Sequence, residues 1–349
     1  MSAKQSTIPN IFQEWRKNII LPYKINKGDT IGIFSPSYPA SATWINGISR
    51  DVLFLQEKGF NIKYGSLTGK KDFYRSGSIK ERADELNELI VSPDVKCIMS
   101  VAGGCVSNSL LPYINYDYLL KNPKIIIGFS DVTAILLAVY AKTGLITYYG
   151  PNLSCFGRKP PLHFETYQYM QNIISEPHKA PYILSAPIHW TEDYIDADED
   201  IEYTMFENNM VTLNNGIAEG RLIACNLNTL MGFMASEYMP EIKNGDILLI
   251  EDKGLDAETM EKEYSMLKIS GIFDKIGGLI IGKQIDFNNR GTGRKHYEIL
   301  QEVMGRIDFP VLAEFDCSHS MPMLTVPIGC KIKLDATKHQ VILLEKWII

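Results

Sequence analysis

The stretch PKIIIGFSDVTAILLAVYAKTG, residues 123–144, decides the fold. It opens as a β-branched apolar run, turns through Gly128-Phe129-Ser130-Asp131, and continues with helical composition as far as Gly144. A short apolar run bounded by turn residues reads as a buried strand, and a longer apolar segment closed by glycine reads as a helix. The corner between them therefore sits at a strand's carboxyl end, which in an open α/β sheet faces the ligand crevice. A tight turn there projects its side chain outward, and the first N–H groups of the new helix are free to bind a developing anion. Ser130 occupies that corner. Only half of the G-x-S-x-G elbow pattern is present, because Val132 stands at the second glycine. The same residues also suit a plain cap, with Ser130 or Asp131 satisfying the helix's first turn.

Working outward, strand and helix patterns alternate. DTIGIFSPS (29–37), FNIKYG (60–65) and VKCIMSVAGG (95–104) read as strands; residues 42–59 and 78–93 read as helices between them. This is the signature of βαβ units on a parallel sheet with right-handed crossovers. From 151 to 216 proline, histidine, asparagine and aromatic residues are frequent, and IHWTEDYIDADED (188–200) is acidic and aperiodic. Strand-like runs return in GRLIACN, GDILLIED, IGGLIIGKQ, TVPIGCKIKL and QVILLEKW, with antiparallel pairing expected in the last two. The predicted organisation is an N-terminal α/β domain over 1–170 carrying the nucleophile, a connector over 171–215, and a C-terminal mixed β/α domain over 216–349.

Composition narrows the function. The 349 residues carry 35 basic and 41 acidic side chains, net −6, spread along the chain, so no nucleic-acid footprint is expected and the partner is read as a small molecule. The N-terminus lacks an apolar signal region and no segment reaches about 18 uninterrupted apolar residues, so the reading is a cytoplasmic protein without membrane attachment. Six cysteines without a C-x-x-C pair fit reduced buried thiols, and no metal or other cofactor is expected.

A serine hydroxyl needs a base, and the base needs an orienting acid. Of six histidines, His319 in FPVLAEFDCSHSMPMLTVPIG follows an apolar strand and lies among small, turn-forming residues that can hold a ring without burying it. Glu251 ends the apolar run of GDILLIED, where a carboxylate emerges at a strand terminus, although Glu-Asp-Lys-Gly is also a common way for a strand to reach solvent.

The runs MSVAGGCVSNSLLPYINYDYLLKNPKIIIGFSDVTAILLAVYAKTGLITYYGP (99–151), GRLIACNLNTLMGFMASEYMPEI (220–242), GDILLIED and FDCSHSMPMLTVPIG closely resemble the LD-carboxypeptidase family of serine peptidases, with its microcin C immunity branch nearest. The resemblance runs from about Lys24 to Ile349. It implies a flavodoxin-like N-terminal lobe, as in class I glutamine amidotransferases, a swivelling C-terminal β/α lobe, and a homodimer. It also implies a triad of Ser130 as nucleophile, His319 as base and Glu251 as its orienting acid, with an oxyanion hole from the backbone amides of Gly104 and Asp131. Trp190 matches an aromatic that stacks on a nucleotide base in immunity-type relatives, and by itself also suits a connector anchor. Ser107, Asn226 and Asn228 are expected to line the cleft, or else to serve as local turn residues. The chain departs from the family pattern at Cys105-Val106 after the glycine corner, at Ala224-Cys225, and at Ile285, where the branch carries an acid and this chain has Asp286 beside it. The implied activity is amide hydrolysis of an aminoacyl-nucleotide antibiotic. The alternatives are removal of the terminal D-alanine from murein tetrapeptides, and a catalytically silent binder on the same scaffold.

Overall fold

The computed structural model describes residues 19–157, 162–193 and 202–349. The part of the acidic run over 194–200 lies outside them, as does most of the polar N-terminal extension. The first lobe is built on β1 (Thr30–Phe34), β2 (Asn61–Tyr64), β3 (Val95–Ser100), β4 (Ile125–Gly128) and β5 (Thr147–Tyr149). They pair in parallel in the order β2-β1-β3-β4-β5, which is the flavodoxin-like arrangement. Each strand except β2 is nearly continuous apolar sequence because helices cover both faces. Helix Ile79–Val91 starts where expected: Ser78 accepts from the Glu81 N–H while the Glu81 carboxylate accepts from the Ser78 N–H.

The region 151–216 does more than connect. After helix Leu162–Ile174 it supplies β6 (Tyr182–Ile183), a hairpin of β7 (His189–Trp190) with β8 (Phe206–Glu207), and β9 (Val211–Asn214). The second lobe adds β10 (Ile217–Asn226), β11 (Ile247–Glu251), β12 (Gly278–Gly282), β13 (Val311–Phe315), β14 (Val326–Ile328), β15 (Lys331–Asp335) and β16 (Gln340–Leu343). Its eight-stranded sheet runs β6-β16-β15-β10-β11-β12-β13-β9, so both edge strands come from the supposed connector. Their few residues carry too little periodicity to be read as strands without the sheet they complete. The last two strands pair antiparallel, as their sequence predicts.

TVPIGCKIKL, read as one strand, is two. Gly329, at φ +93°, turns the chain so that β14 joins the edge of the first sheet beside β5 while β15 stays in the second. The lobes are thus stitched by a C-terminal strand placed in the N-terminal sheet.

Beneath the strand ends, buried Glu85 accepts from the Ser35 and Leu67 N–H groups at 2.7 and 2.9 Å, holding the loops that follow β1 and β2. Burial pushes its carboxyl up to about 7 from an ordinary 4.5. A carboxyl with a raised folded-state pKa favours folding while protonated, so this contribution is complete below 4.5 and is lost as pH rises through about 7. The loss amounts to about 3 kcal/mol. Glu263 is raised to about 7 and Asp252 to about 6, also by burial, and both act in the same direction. Thermal unfolding is therefore expected at a lower temperature at pH 8 than at pH 5.5, with the difference reduced in Glu85→Gln; an equal pH dependence in wild type and variant would refute the assignment.

Candidate active site

β4 is buried along its length and delivers Phe129 in extended conformation, after which Ser130 adopts φ +62° and a 3-10 turn, Ser130–Val132, leads into the almost wholly buried helix Thr133–Thr143. A non-glycine residue in the left-handed region costs on the order of 1–3 kcal/mol and persists only where its surroundings impose it. They do so here. The Phe129 N–H donates to Asn152 Oδ1 at 3.2 Å and the Ser130 N–H to the Tyr149 hydroxyl at 3.2 Å. Gly128 has no room for a side chain, since a Cβ there would lie 2.6 Å from Ser100 Oγ and 2.9 Å from Asn152 Oδ1. Neither Ser130 nor Asp131 caps the helix. The N-cap is Val132, without a side-chain hydrogen bond, and the Asp131 carboxylate turns instead to the Val106 and Ser107 N–H groups, each at 3.0 Å. Burial raises the Asp131 pKa, opposed by those hydrogen bonds.

The glycine corner after β3 abuts this elbow. A Cβ on Gly103 would come within 2.9 Å of Ser130 Oγ and 3.3 Å of the Asp131 nitrogen. Gly104 sits at φ +147° against Ser37, whose hydroxyl accepts from the Cys105 and Val106 N–H groups at 2.9 and 3.0 Å. The N–H groups of Gly104 and Asp131 are not used in the hydrogen bonds of the described residues. Arg82, buried under the corner, donates to the carbonyls of Pro36, Gly77 and Val106, fixing the loops after β1 and β3 to one another.

From the second lobe, Glu251 at the end of β11 is fully buried and His319 nearly so. His319 Nδ1 donates to Glu251 Oε2 at 2.6 Å, while Oε1 accepts from the Tyr149 hydroxyl at 2.5 Å and from Asn226 Nδ2 at 3.2 Å. The Tyr149 hydroxyl therefore links the Ser130 backbone directly to the acid that holds His319. The Phe129 ring meets the His319 ring edge-on, with centroids 4.8 Å apart. Residues distant in sequence and drawn from both lobes are thus linked around Glu251 and the Ser130 elbow.

The remaining predicted residues divide. Ser107 is completely buried, and both its donors go to Asp131: the N–H to the carboxylate, the hydroxyl to the main-chain oxygen. It braces the elbow and does not line the cleft, a correction to the expected role. Asn226 is also internal, its amide divided between Glu251 and a cap on helix Leu227–Met231, where Oδ1 accepts from the Thr229 N–H. Asn228 is turned toward Glu263 Oε1 at 2.8 Å, its N–H donating to Asp252. The polar side chains of 107 and 226 are consumed by partners distant in sequence, Asp131 and Glu251, with Asn226 also capping its own helix as a local turn role predicts.

Trp190 and Ile285 do meet at a cavity. A space of about 510 Å³ between the β7–β8 hairpin and the ends of β12 and β13 is lined by Trp190, Phe206, Lys283, Gln284, Ile285 and Tyr297, among others. Trp190 packs on Phe206 with centroids 5.2 Å apart and remains half-buried. Ile285 is a buried wall whose carbonyl accepts from the Gly254 N–H, and Asp286 beside it pairs with Lys253 at 3.3 Å. Ser130 and His319 do not line this cavity, but one of its walls stands beside the acid: Gly282, next to the lining residue Lys283, is so close that a Cβ there would lie 2.7 Å from Glu251 Cβ. Among the described residues no cluster of three His, Cys, Asp or Glu side chains could hold a metal ion, and no helix is long and apolar enough to cross a membrane.

Tyr149 and Asn152 were not singled out from the sequence. Both follow the rule that picks out Ser130, since they lie at or just past the carboxyl end of a strand, and Tyr149 stands abreast of Gly128 in the pairing of β4 with β5.

A flavodoxin-like sheet whose strand ends present a strained serine corner, closed over by a second lobe bearing an acid-held imidazole, is a two-lobed α/β fold with an elbow-like corner. Residues 31–150 match the LD-carboxypeptidase N-terminal domain and residues 219–334 its C-terminal domain. The chain belongs to the LD-carboxypeptidase family. It is 48% identical to the microcin C7 self-immunity protein MccF of Escherichia coli over 92% of this chain and 94% of that protein. The solved structure of MccF in complex with aspartyl sulfamoyl adenosine superposes with a TM-score of 0.92 at 47% identity, covering 95% of this chain and all of that one. That of MccF with glutamyl sulfamoyl guanosine gives the same TM-score over 94% and 99%. A more distant relative is the murein tetrapeptide carboxypeptidase of Pseudomonas aeruginosa, 22% identical over 86% of this chain and 92% of its own length.

Proposed function

We propose that this protein is a serine hydrolase that cleaves the amide-type bond between an acyl group and a nucleotide, detoxifying aminoacyl-nucleotide antibiotics of the microcin C type. The observation that carries the reading is the 2.6 Å bond from His319 Nδ1 to the buried Glu251, tied through Tyr149 to the Ser130 elbow. With Nδ1–H committed to the carboxylate, Nε2 is the nitrogen that takes the Ser130 proton. Oγ attacks the acyl carbon, and the oxyanion is received by the N–H groups of Gly104 and Asp131. As the C–N bond breaks, His319 returns the proton to the leaving nitrogen; water, activated by the same ring, then hydrolyses the acyl-enzyme and regenerates Ser130. The reading includes a cytoplasmic homodimer, on the strength of the family resemblance.

Trp190 is the shelf for the base. What supports this is that its half-buried ring flanks a cavity of nucleoside size with a wall beside Glu251, and that the immunity relative binds aminoacyl sulfamoyl nucleosides. Incubating the protein with aspartyl sulfamoyl adenosine and, separately, with a murein tetrapeptide tests the assignment, products being followed by mass. Release of the amino acid from the nucleotide alone supports it; cleavage of the tetrapeptide alone transfers the chain to murein recycling. Trp190→Ala is expected to raise KM for the nucleotide substrate about tenfold, the value of one base–aromatic stack. An unchanged KM would remove Trp190 from the binding site.

A further inference from the structure

Lys283 is almost entirely buried, at 1% exposure, and all three of its ammonium donors are used. They reach Asp316 Oδ1 at 2.5 Å, the Glu314 carbonyl at 2.7 Å and Asn208 Oδ1 at 2.9 Å. Asn208 closes the ring by donating Nδ2 to Asp316 Oδ2 at 2.8 Å, and it also donates to the Pro187 carbonyl at 2.8 Å. Three elements meet in this knot. Lys283 follows β12, Asn208 follows β8 in the hairpin that bears Trp190, and Asp316 follows β13, three residues before His319. The same ammonium lies 5.2 Å from the centroid of the Trp190 ring.

The hairpin is tied a second time to the same loop, on the other side of His319. Thr191, next to Trp190, and Met321 exchange backbone hydrogen bonds at 2.9 and 3.1 Å. There is no slack between the knot and the acid: a Cβ on Gly282 would lie 2.7 Å from Glu251 Cβ and 3.0 Å from the Cys317 carbonyl oxygen. His319 is therefore held between two anchor points, Asp316 and Met321, that both bind the Trp190 hairpin. A buried ion pair is weak evidence for stability, since apolar residues can replace it at little cost, and its best-attested use is to fix register.

We propose that Lys283 is a positioning residue: through Asp316 and Asn208 it locks the Trp190 shelf to the loop carrying His319, so that a flat group stacked on Trp190 holds the imidazole in register and raises kcat as well as lowering KM. The proposal rests on the reading of Ser130, His319 and Glu251 as the triad and of Trp190 as the shelf. It makes the base side of the substrate a contributor to the chemical step, the arrangement in which remote binding energy is used for orientation at the reacting centre.

The test compares glutamyl sulfamoyl adenosine with the same glutamyl sulfamate lacking the nucleoside, in wild type, Lys283→Met and Asn208→Ala, with AMP affinity measured by calorimetry. Lys283→Met, which also alters the cavity lining, is expected to lower kcat for the nucleoside substrate about tenfold while the truncated substrate stays within about twofold; the AMP Kd is expected to stay within about threefold in Asn208→Ala, since Asn208 does not line the cavity. Asn208→Ala leaves the ion pair in place but cuts the hairpin's arm, and is expected to give the same selective loss; it decides the matter where Lys283→Met does not fold. Equal losses on both substrates, or an effect confined to KM and AMP affinity, overturn the coupling alone. Wild-type protein that binds no AMP, or cleaves neither compound, overturns the coupling together with the reading beneath it.

Discussion

Replacing Ser130 by alanine is expected to lower kcat by about 10⁴-fold or more while leaving folding and nucleotide affinity nearly unchanged. The substitution removes only Oγ. The elbow is held by backbone contacts, from the Phe129 N–H to Asn152 and from the Ser130 N–H to Tyr149, neither of which needs the hydroxyl. Alanine tolerates the +62° φ no worse than serine, and the Gly103 corner gains space where Oγ stood. The oxyanion donors are main-chain groups and survive, so residual turnover above the uncatalysed rate is expected, through water attacking in place of Oγ. Single-turnover assays with aspartyl sulfamoyl adenosine, followed by mass, check this. Turnover in Ser130→Ala within tenfold of wild type would remove Ser130 as the nucleophile.

Glu251→Gln is expected to cost about 10⁴-fold in kcat, by a different route. The carboxylate accepts from three donors: the Tyr149 hydroxyl and Asn226 Nδ2 at Oε1, and His319 Nδ1 at Oε2. Glutamine has one oxygen and one NH₂. If the NH₂ faces His319, Nδ1 must become an acceptor, the ring proton moves to Nε2, and the nitrogen that should take the Ser130 proton cannot. If the NH₂ faces the other way, it confronts two donors in a fully buried site, leaving groups unsatisfied at about 1–3 kcal/mol each. Either arrangement lowers kcat, and the second also lowers Tm. The signature is loss of turnover with AMP binding retained, since Glu251 does not line the Trp190 cavity. Wild-type kcat in this variant would exclude the acid from the reaction.

Much of the first lobe was legible because βαβ architecture writes its strands as unbroken apolar runs and its helices with caps, as at Ser78 and Glu81. Ser130, Glu251 and His319 stand out as candidates because each ends or follows an apolar strand, but Ser130 also suits a helix cap and Glu251 a strand exit, and it is the family resemblance that joins the three into one proposed triad. Tyr149 escaped notice because a tyrosine in an apolar run reads as core, and only the pairing of β4 with β5 brings its hydroxyl to the elbow. Ser107 and Asn226 look like cleft residues in the sequence, yet each is consumed by a neighbour, one across 24 residues and one across 25.

By itself the sequence determined the alternation of elements, the strand ends at which chemistry is possible, and the family those motifs belong to. Periodicity and turn chemistry are local properties, set within a window of about 11–18 residues. Only the tertiary structure decided that β14 crosses into the first sheet, that the supposed connector closes both edges of the second, and that Lys283, Asp316 and Asn208 form one buried knot between the Trp190 hairpin and the His319 loop. Those are pairings between distant segments, and their free energy comes from burial and hydrogen bonding that exist only once both partners are in place.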